Sequence, residues 1–483
     1  MAIEITQPII DSASDSFSLI VEKTFNLFDP QFGFLRASGE GGTFARPFGR
    51  DTMMSALHLT RAHELNPALP VDQIFPAVAF ILLHTPEIDI PEAGIYRGKP
   101  PHEMGTKDQG FPERFGCIDE AGFGICCDSA DGADRTLLTI FDLEERFPHH
   151  LQTAINQLAV KFNKPSHEVN YYVEMITEWA IKNTQEFEGS AFIGAMYDPK
   201  RNNIEHRGLN KQFWRDSEFS VTKEDGSDLT HPLYTAEEQA LRWSALLRAG
   251  KFLGEKNPDL AAKALKAAKL TKEKFNQRFP YKYEDRTDES TITGTYIASA
   301  IDATGYQVRD VTCDEITLLS HVVDGEYFIT DPELRRDIIM RSYRRLFDEL
   351  GGFRTIDRNN HPQNIYHGPN SIWPHRQADI VYAIETEAQR IKDENPFWYN
   401  EYKKLTEQVA VAALRPLTHY NDPIELVIIT AGEYDLFRTY CEDFDRQQES
   451  SRVQAFSGFS ALYLNEYLSN KYQIEELDAL VCV

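Results

Sequence analysis

Helical repetition constrains this chain more than any other feature. Apolar residues recur at three- and four-residue intervals over 14–28, 51–63, 71–84, 131–146, 167–187, 235–253, 259–275, 314–323, 331–350, 371–391, 396–414 and 453–468. Several of these segments open on capping signals: Asp331 precedes Pro332 and Glu333, and Ser166 precedes His167 and Glu168. The pattern predicts about a dozen helices and almost no strands. Between them lie long loops at 32–50, 86–130, 189–234, 351–370 and 415–452, too rich in Trp, Tyr, Phe and Gly to be disordered. No proline-, serine- or charge-rich linker divides the chain, and no repeated sequence period marks a helical array. The expectation is an all-α fold in one domain spanning 1–483, with 1–12 and 470–483 as peripheral termini. Its long loops gather at one end to form a pocket.

Charge narrows the function classes. Of 483 residues, 50 are Lys or Arg and 75 are Asp or Glu, a formal net charge of −25. Such a surface repels phosphates, so neither nucleic acid nor an anionic membrane is an expected partner. The start, MAIEITQPIIDSASDSF, lacks the basic and apolar regions of a secretion signal. The longest apolar run, 75–83, is too short to span a bilayer. Six cysteines show no C-x-x-C spacing, which suggests reduced thiols, a cytoplasmic location and neither metal nor cofactor. Oligomeric state is not legible.

Five loop segments carry dense polar and aromatic chemistry. In ARPFGRDTMMSAL, Arg50 and Asp51 enter a helix, and a guanidinium beside a carboxylate suits neighbouring sugar hydroxyls; a capping aspartate is the plainer alternative. RGKPPHEMG carries His102 and Glu103. The acidic run Asp128, Asp131 and Asp134 lacks the ligand spacing of a calcium loop, leaving Asp134 for hydroxyl recognition or for capping. In GLNKQFWRDSEFSVTKEDG, Asp216 follows Trp214 and Arg215. A carboxyl desolvated by an indole stays protonated near neutral pH, as a general acid must, unless Arg215 points at it. Glu237 and Gln239 open the next helix. In YHGPNSIWPHRQADI, Trp373 and His375 offer a stacking face and a hydrogen-bonding ring, although core packing of Trp373 is the simpler reading. Glu442 and Glu449 precede the last helix.

Taken in order, these segments resemble the (α/α)6-barrel, six-hairpin glycosidases, and most of all the amylo-α-1,6-glucosidase module of glycogen debranching enzymes. The matching stretches are Pro47–Thr52; Gly98, Lys99, His102 and Glu103; Trp214, Asp216, Ser217, Glu237 and Gln239; Ser371, Trp373, Pro374 and His375; and Gln454, Ala455, Phe456 and Ser457. The resemblance runs from about Phe32 to Leu468. Two departures stand out: Phe456 replaces the tryptophan of Q-A-W-S, and Arg376-Gln377 replaces the Asp-Asn of W-P-H-D-N. The latter pair is expected near the pocket mouth.

The resemblance implies a toroid of about twelve helices and an exo-acting hydrolase that inverts the anomeric carbon of an α-glucoside, without cofactor or metal. The substrate would be the α-1,6 branch stub of glycogen or a related oligosaccharide. By the same resemblance Asp216 is the acid and Glu442 the base, with Glu433, Glu449 and finally Glu425 as rivals. Arg50 and Asp51 would grip the terminal sugar, with His102, Glu103, Asp134, Trp214, Glu237, Gln239, Trp373 and His375 as further lining. Hydrolysis of trehalose, sucrose or a glycosylated small acid is the alternative within the fold, and non-catalytic carbohydrate binding the alternative outside it.

Overall fold

A computed structural model describes residues 15–39, 44–91, 94–106, 123–127, 129–185, 187–194, 212–217, 219–286, 290–358, 361–436, 438–441, 446–449 and 451–472. Thirteen α-helices occur among them: α1 (Asp15–Phe25), α2 (Gly49–Leu65), α3 (Ile74–Leu83), α4 (Gly132–Arg146), α5 (His150–Lys161), α6 (Val169–Lys182), α7 (Ala236–Leu253), α8 (Pro258–Arg278), α9 (Asp314–Thr317), α10 (Pro332–Leu346), α11 (Pro374–Ile391), α12 (Pro396–Tyr420) and α13 (Ala455–Ser469). Six of them close a ring, in which α2 packs on α4, α4 on α7, α7 on α9, α9 on α11, α11 on α13, and α13 back on α2. The others back this ring from outside: α8 lies on α7, α10 on α9, α12 on α11 and α1 on α13. The result is the (α/α)6 toroid that the resemblance implied.

The two rings obey different sequence rules. Outer helices are amphipathic: α8 buries Leu260, Ala261, Ala264, Ala267, Ala268, Thr271 and Phe275 and turns Lys263, Lys266 and Lys269 to solvent. Inner helices have no solvent face. Every residue of α7 from Ala236 to Leu246 is buried, as is α13 from Ala455 to Leu468. Their polar residues are therefore buried and must find partners within the protein. The expected opening of α10 holds, with the Asp331 side chain accepting from the Glu333 amide at 2.9 Å.

Some boundaries differ from expectation. Helix α5 lies outside the expected segments, although Leu151, Ala154, Ile155 and Leu158 have helical spacing and are buried; it follows α4 after a short break at His149, whose φ is +71°. Helix α12 runs through Pro416 to Tyr420. Short strands are also common. The hairpin Pro280–Arg286 with Thr291–Ile297 buries Tyr281 and Tyr283 and exposes Lys282 and Glu284, a period-two pattern that the helical reading of the chain leaves out. Ser371–Ile372, Val427–Thr430 and Glu433–Leu436 form a three-stranded sheet. No helix among the described residues is long and apolar enough to cross a membrane.

Candidate active site

The starts of α2, α11 and α13 and the long loops around them enclose a cavity of about 460 Å3. Each of the five predicted loops supplies wall: Phe44 and Phe48, His102 and Glu103, Trp214 with Asp216 and Ser217, Gln363 to Tyr366, and Glu425, with Gln454 just past the end of its loop. The first two loops are stitched together where Gly49 donates its amide to the His102 carbonyl at 2.9 Å. A Cβ at Gly49 would sit 2.0 Å from the Pro101 carbonyl oxygen, so only glycine lets the His102–Glu103 segment cross the start of α2. Glu103 is ion-paired to Arg46.

Three carboxyls from distant parts of the chain meet in this cavity. Asp216 accepts a hydrogen bond from Arg50 Nη2 at 2.9 Å and leaves 28% of its side-chain surface open. Burial raises its carboxyl above the ordinary range, with the Arg50 guanidinium opposing the shift. Asp51 accepts from Gln454 Nε2 at 3.2 Å. Burial pushes it up to about 7 against Arg50, and Asp216 adds to the rise. Glu425 accepts through Oε2 from the Ser451 amide at 2.8 Å and through Oε1 from the Tyr366 phenol. Burial again dominates, pushing Glu425 up to about 7; the bonds from Ser451 and Tyr366 oppose the rise, and Asp51 and Asp216 reinforce it. Asp216 thus raises both Asp51 and Glu425, and Asp51 raises Glu425 as well.

Asp216 is held by its neighbours in sequence, which turn away from it. Arg215 pairs with Asp314 Oδ2 at 2.9 Å, and Trp214 donates Nε1 to Asp314 Oδ1 at 2.8 Å. The cation poised to oppose protonation is therefore Arg50, and not Arg215. The Trp214 ring stands edge-to-face against His367, Trp373 and His375, with centroids 5.4–5.8 Å apart. His367 bonds Ser217 Oγ through Nδ1 at 2.7 Å. Burial holds His102 down to about 3 and keeps His367 and His375 well below their usual range, so all three rings are neutral hydrogen-bonding groups.

Of the expected sugar-lining residues, Arg50, Asp51, His102, Glu103, Trp214, Trp373 and His375 reach the cavity wall. Trp373 is no open stacking platform, because His367 lies parallel to it at 5.0 Å and Phe456 near-parallel at 6.4 Å. Asp134, Glu237 and Gln239 are not on the wall. Asp134 is sealed in the core, 3.9 Å from Arg242 Nη1. Glu237 Oε1 accepts from Arg376 Nη1 at 2.9 Å and from Arg135 Nη2 at 3.1 Å. The Gln239 amide brackets Ile193, accepting from its N–H at 3.0 Å and donating to its carbonyl at 2.9 Å. Asp134 and Glu237 thus face arginines of other inner helices below the cavity, and Gln239 holds a neighbouring strand.

Arg376 and Gln377, expected near the mouth, are also buried. Arg376 joins Glu237 to Asp314 and lies 4.8 Å from the centroid of the Trp214 ring. Gln377 brackets Phe353 as Gln239 brackets Ile193, with bonds of 2.8 and 3.0 Å. Glu442 lies outside the described residues, as does Asp128. Glu433 is exposed on a strand, and Glu449 ends the strand Arg446–Glu449. Glu425, the least favoured rival, lies on the cavity wall. Its signal was a lone acid within the apolar run Ile424 to Ile429. Tyr366, His367 and Ser217 carry no local mark that separates them from core or loop residues.

No protein-family model and no curated protein sequence matches the chain. Solved structures share its fold at low identity. A wild-type glycosidase superposes with a TM-score of 0.52 at 11% identity, over 96% of this chain and 98% of that one. The GH63 mannosylglycerate hydrolase from Thermus thermophilus, in complex with glucose, gives 0.51 at 10% identity over 93% and 99%. Neutral trehalase from Saccharomyces cerevisiae gives 0.47 at 13% identity over 92% and 75%.

Proposed function

We propose that this chain is an inverting, exo-acting glycoside hydrolase that removes a terminal glucose from a neutral α-glucoside, with Asp216 as general acid and Glu425 as general base. The observation that carries the reading is the convergence of these two carboxyls, 209 positions apart (425 − 216), on one cavity. Fold likeness to glycosidases supports it without naming the substrate. Asp216 protonates the glycosidic oxygen as the bond to the anomeric carbon breaks. Glu425 takes a proton from the water that attacks that carbon from the opposite face. The raised Asp216 carboxyl suits the first role, and the high basicity of Glu425 suits the second.

The cavity volume falls within the ~300–1,000 Å3 of small-molecule sites, which supports a mono- or disaccharide-sized occupant bound from its end. Its described wall carries Asp51, Glu103, Asp216 and Glu425 against Arg50 alone. Arg50 is engaged by Asp216, and Arg46 behind the wall by Glu103. This charge balance favours a neutral leaving group over a glycosylated acid. An α-1,6-linked glucose, as at a glycogen branch stub, is the first linkage to try. The buried free thiol of Cys313 agrees with a reducing, cytoplasmic setting.

Glucose release should be scored on isomaltose, panose, maltose, trehalose, sucrose and glucosylglycerate, with the anomer of the first product read by NMR. Release of β-glucose from a neutral α-glucoside is expected. Retention of configuration, or turnover of glucosylglycerate alone, would overturn the assignment.

A further inference from the structure

The loop before α11 presents a phenol to Glu425 in an unusually constrained way. The Tyr366 carbonyl accepts from Trp373 Nε1 at 3.1 Å, and its ring stands edge-on to Trp373 at 4.8 Å and 86°. Backbone and ring are thus both fixed, which leaves the hydroxyl a single direction, toward Glu425 Oε1. Glu425 is fixed on its other side. Its own amide donates to the Ser451 carbonyl at 2.8 Å while Oε2 accepts from the Ser451 amide, so residues 425 and 451 clamp the neck of the excursion between them.

We propose that Tyr366 is a positioning residue for Glu425: its phenol holds Oε1, aims the remaining lone pairs at the attacking water, and keeps the carboxyl ionised in a cavity crowded with other acids. This rests on the reading of Glu425 as the base. Among the described residues, the charged and titratable groups that act on Glu425 are Asp51 from α2, Asp216 from the mid-chain loop and Tyr366 itself; Arg50 is spent on Asp216. Two carboxyls therefore disfavour ionisation of Glu425, and the Ser451 amide and the Tyr366 phenol favour it. The amide belongs to the backbone and is permanent. The phenol is the part that one oxygen atom removes.

The test compares wild type and Tyr366→Phe, which keeps the ring against Trp373. The probe is α-D-glucosyl fluoride, whose leaving group needs little protonation, so that its pH–kcat/KM profile reports the base. A hydrogen bond to an ionised group moves its pKa by about one to two units. The acid limb should shift upward by that amount in the variant, with KM held within about twofold and thermal unfolding unchanged. A limb that stays in place, or a loss equal at every pH or confined to KM, overturns the proposal. Should turnover be too slow, the pH dependence of 1-deoxynojirimycin binding must shift the same way. Glu425→Gln separates the two levels: if it still hydrolyses the fluoride, the base assignment itself fails. If it is inactive while the Tyr366→Phe limb is unmoved, only the role of Tyr366 falls.

Discussion

The cavity wall and the layer of charge beneath it are built from the same residue types and behave oppositely. Below, three buried or half-buried acids are matched to guanidinium groups. Glu237 lies between Arg135 and Arg376, Asp314 between Arg376 and Arg215, and Asp379 among His58, Arg61 and Arg376. On the wall, Asp51 and Asp216 share one nearby arginine, Arg50, and Glu425 is held by the Ser451 amide and the Tyr366 phenol. The contrast teaches where this molecule puts its stability and where it gives some up. Matched charges anchor helix starts and pin the Trp214 loop. On the wall, burial lifts the carboxyls of Asp51, Asp216 and Glu425 toward neutrality, where protons are exchanged usefully.

The sharpest way to break the lower layer is Arg376→Ala, which strands Glu237 and Asp314 without their shared cation. Removing one partner of a buried pair costs about 3–5 kcal/mol, so thermal unfolding should fall by many degrees, and soluble yield with it. A variant as stable as wild type would show that the layer is no anchor.

On the wall, Asp216→Asn and Glu425→Gln should each lower turnover of an O-glucoside by ~10²–10⁴-fold, as general acid–base groups do, while circular dichroism and unfolding stay native. Asp216→Asn should be markedly less impaired on α-D-glucosyl fluoride than on an O-glucoside, and Glu425→Gln equally impaired on both. Equal sensitivity of the two variants would erase the division of labour.

A pH series sharpens the contrast further. Glu425 must be ionised to act, so the acid limb of kcat/KM should rise through its pKa of about 7. Stability runs the other way for the wall. Asp51 holds its proton up to about 7 when folded and to ~4 when unfolded. The folded state thus binds more protons in that window. The stability this gives is complete below ~4 and is lost as pH rises through about 7. Asp51→Asn should therefore flatten the decline in unfolding temperature between pH 5 and pH 8; an unchanged slope would remove Asp51 from the account. Smallest of all, Glu433→Gln, exposed on its strand, should leave turnover within about twofold of wild type, and a large loss there would revive a discarded base.

Much of the scaffold was legible because its signal is local. Helical periodicity and the D-P-E opening act over a few residues, and the outer helices obeyed them. The glutamines show where legibility stopped. Gln239 and Gln377 each occupy the fourth position of an inner helix, and each donates to the carbonyl just before that helix, of Thr235 and Trp373. Read as sugar or mouth residues, both are brackets for a neighbouring loop. Nothing in their sequence context separates the two uses, because an amide serves a backbone strand as well as it serves a hydroxyl.

The choice of base is no more a matter of local sequence. Position before the last helix favoured Glu442, whereas Glu425 sits earlier, at the root of the excursion that Ser451 closes. Sequence alone determined that this chain would pair helices, leave long aromatic loops between them, and carry an aspartate beside an indole, since each follows from spacing and composition. Only the tertiary structure decided which acids share a cavity and which are matched to arginines. That sorting depends on distances between residues hundreds of positions apart, and on the burial that sets what a charge costs.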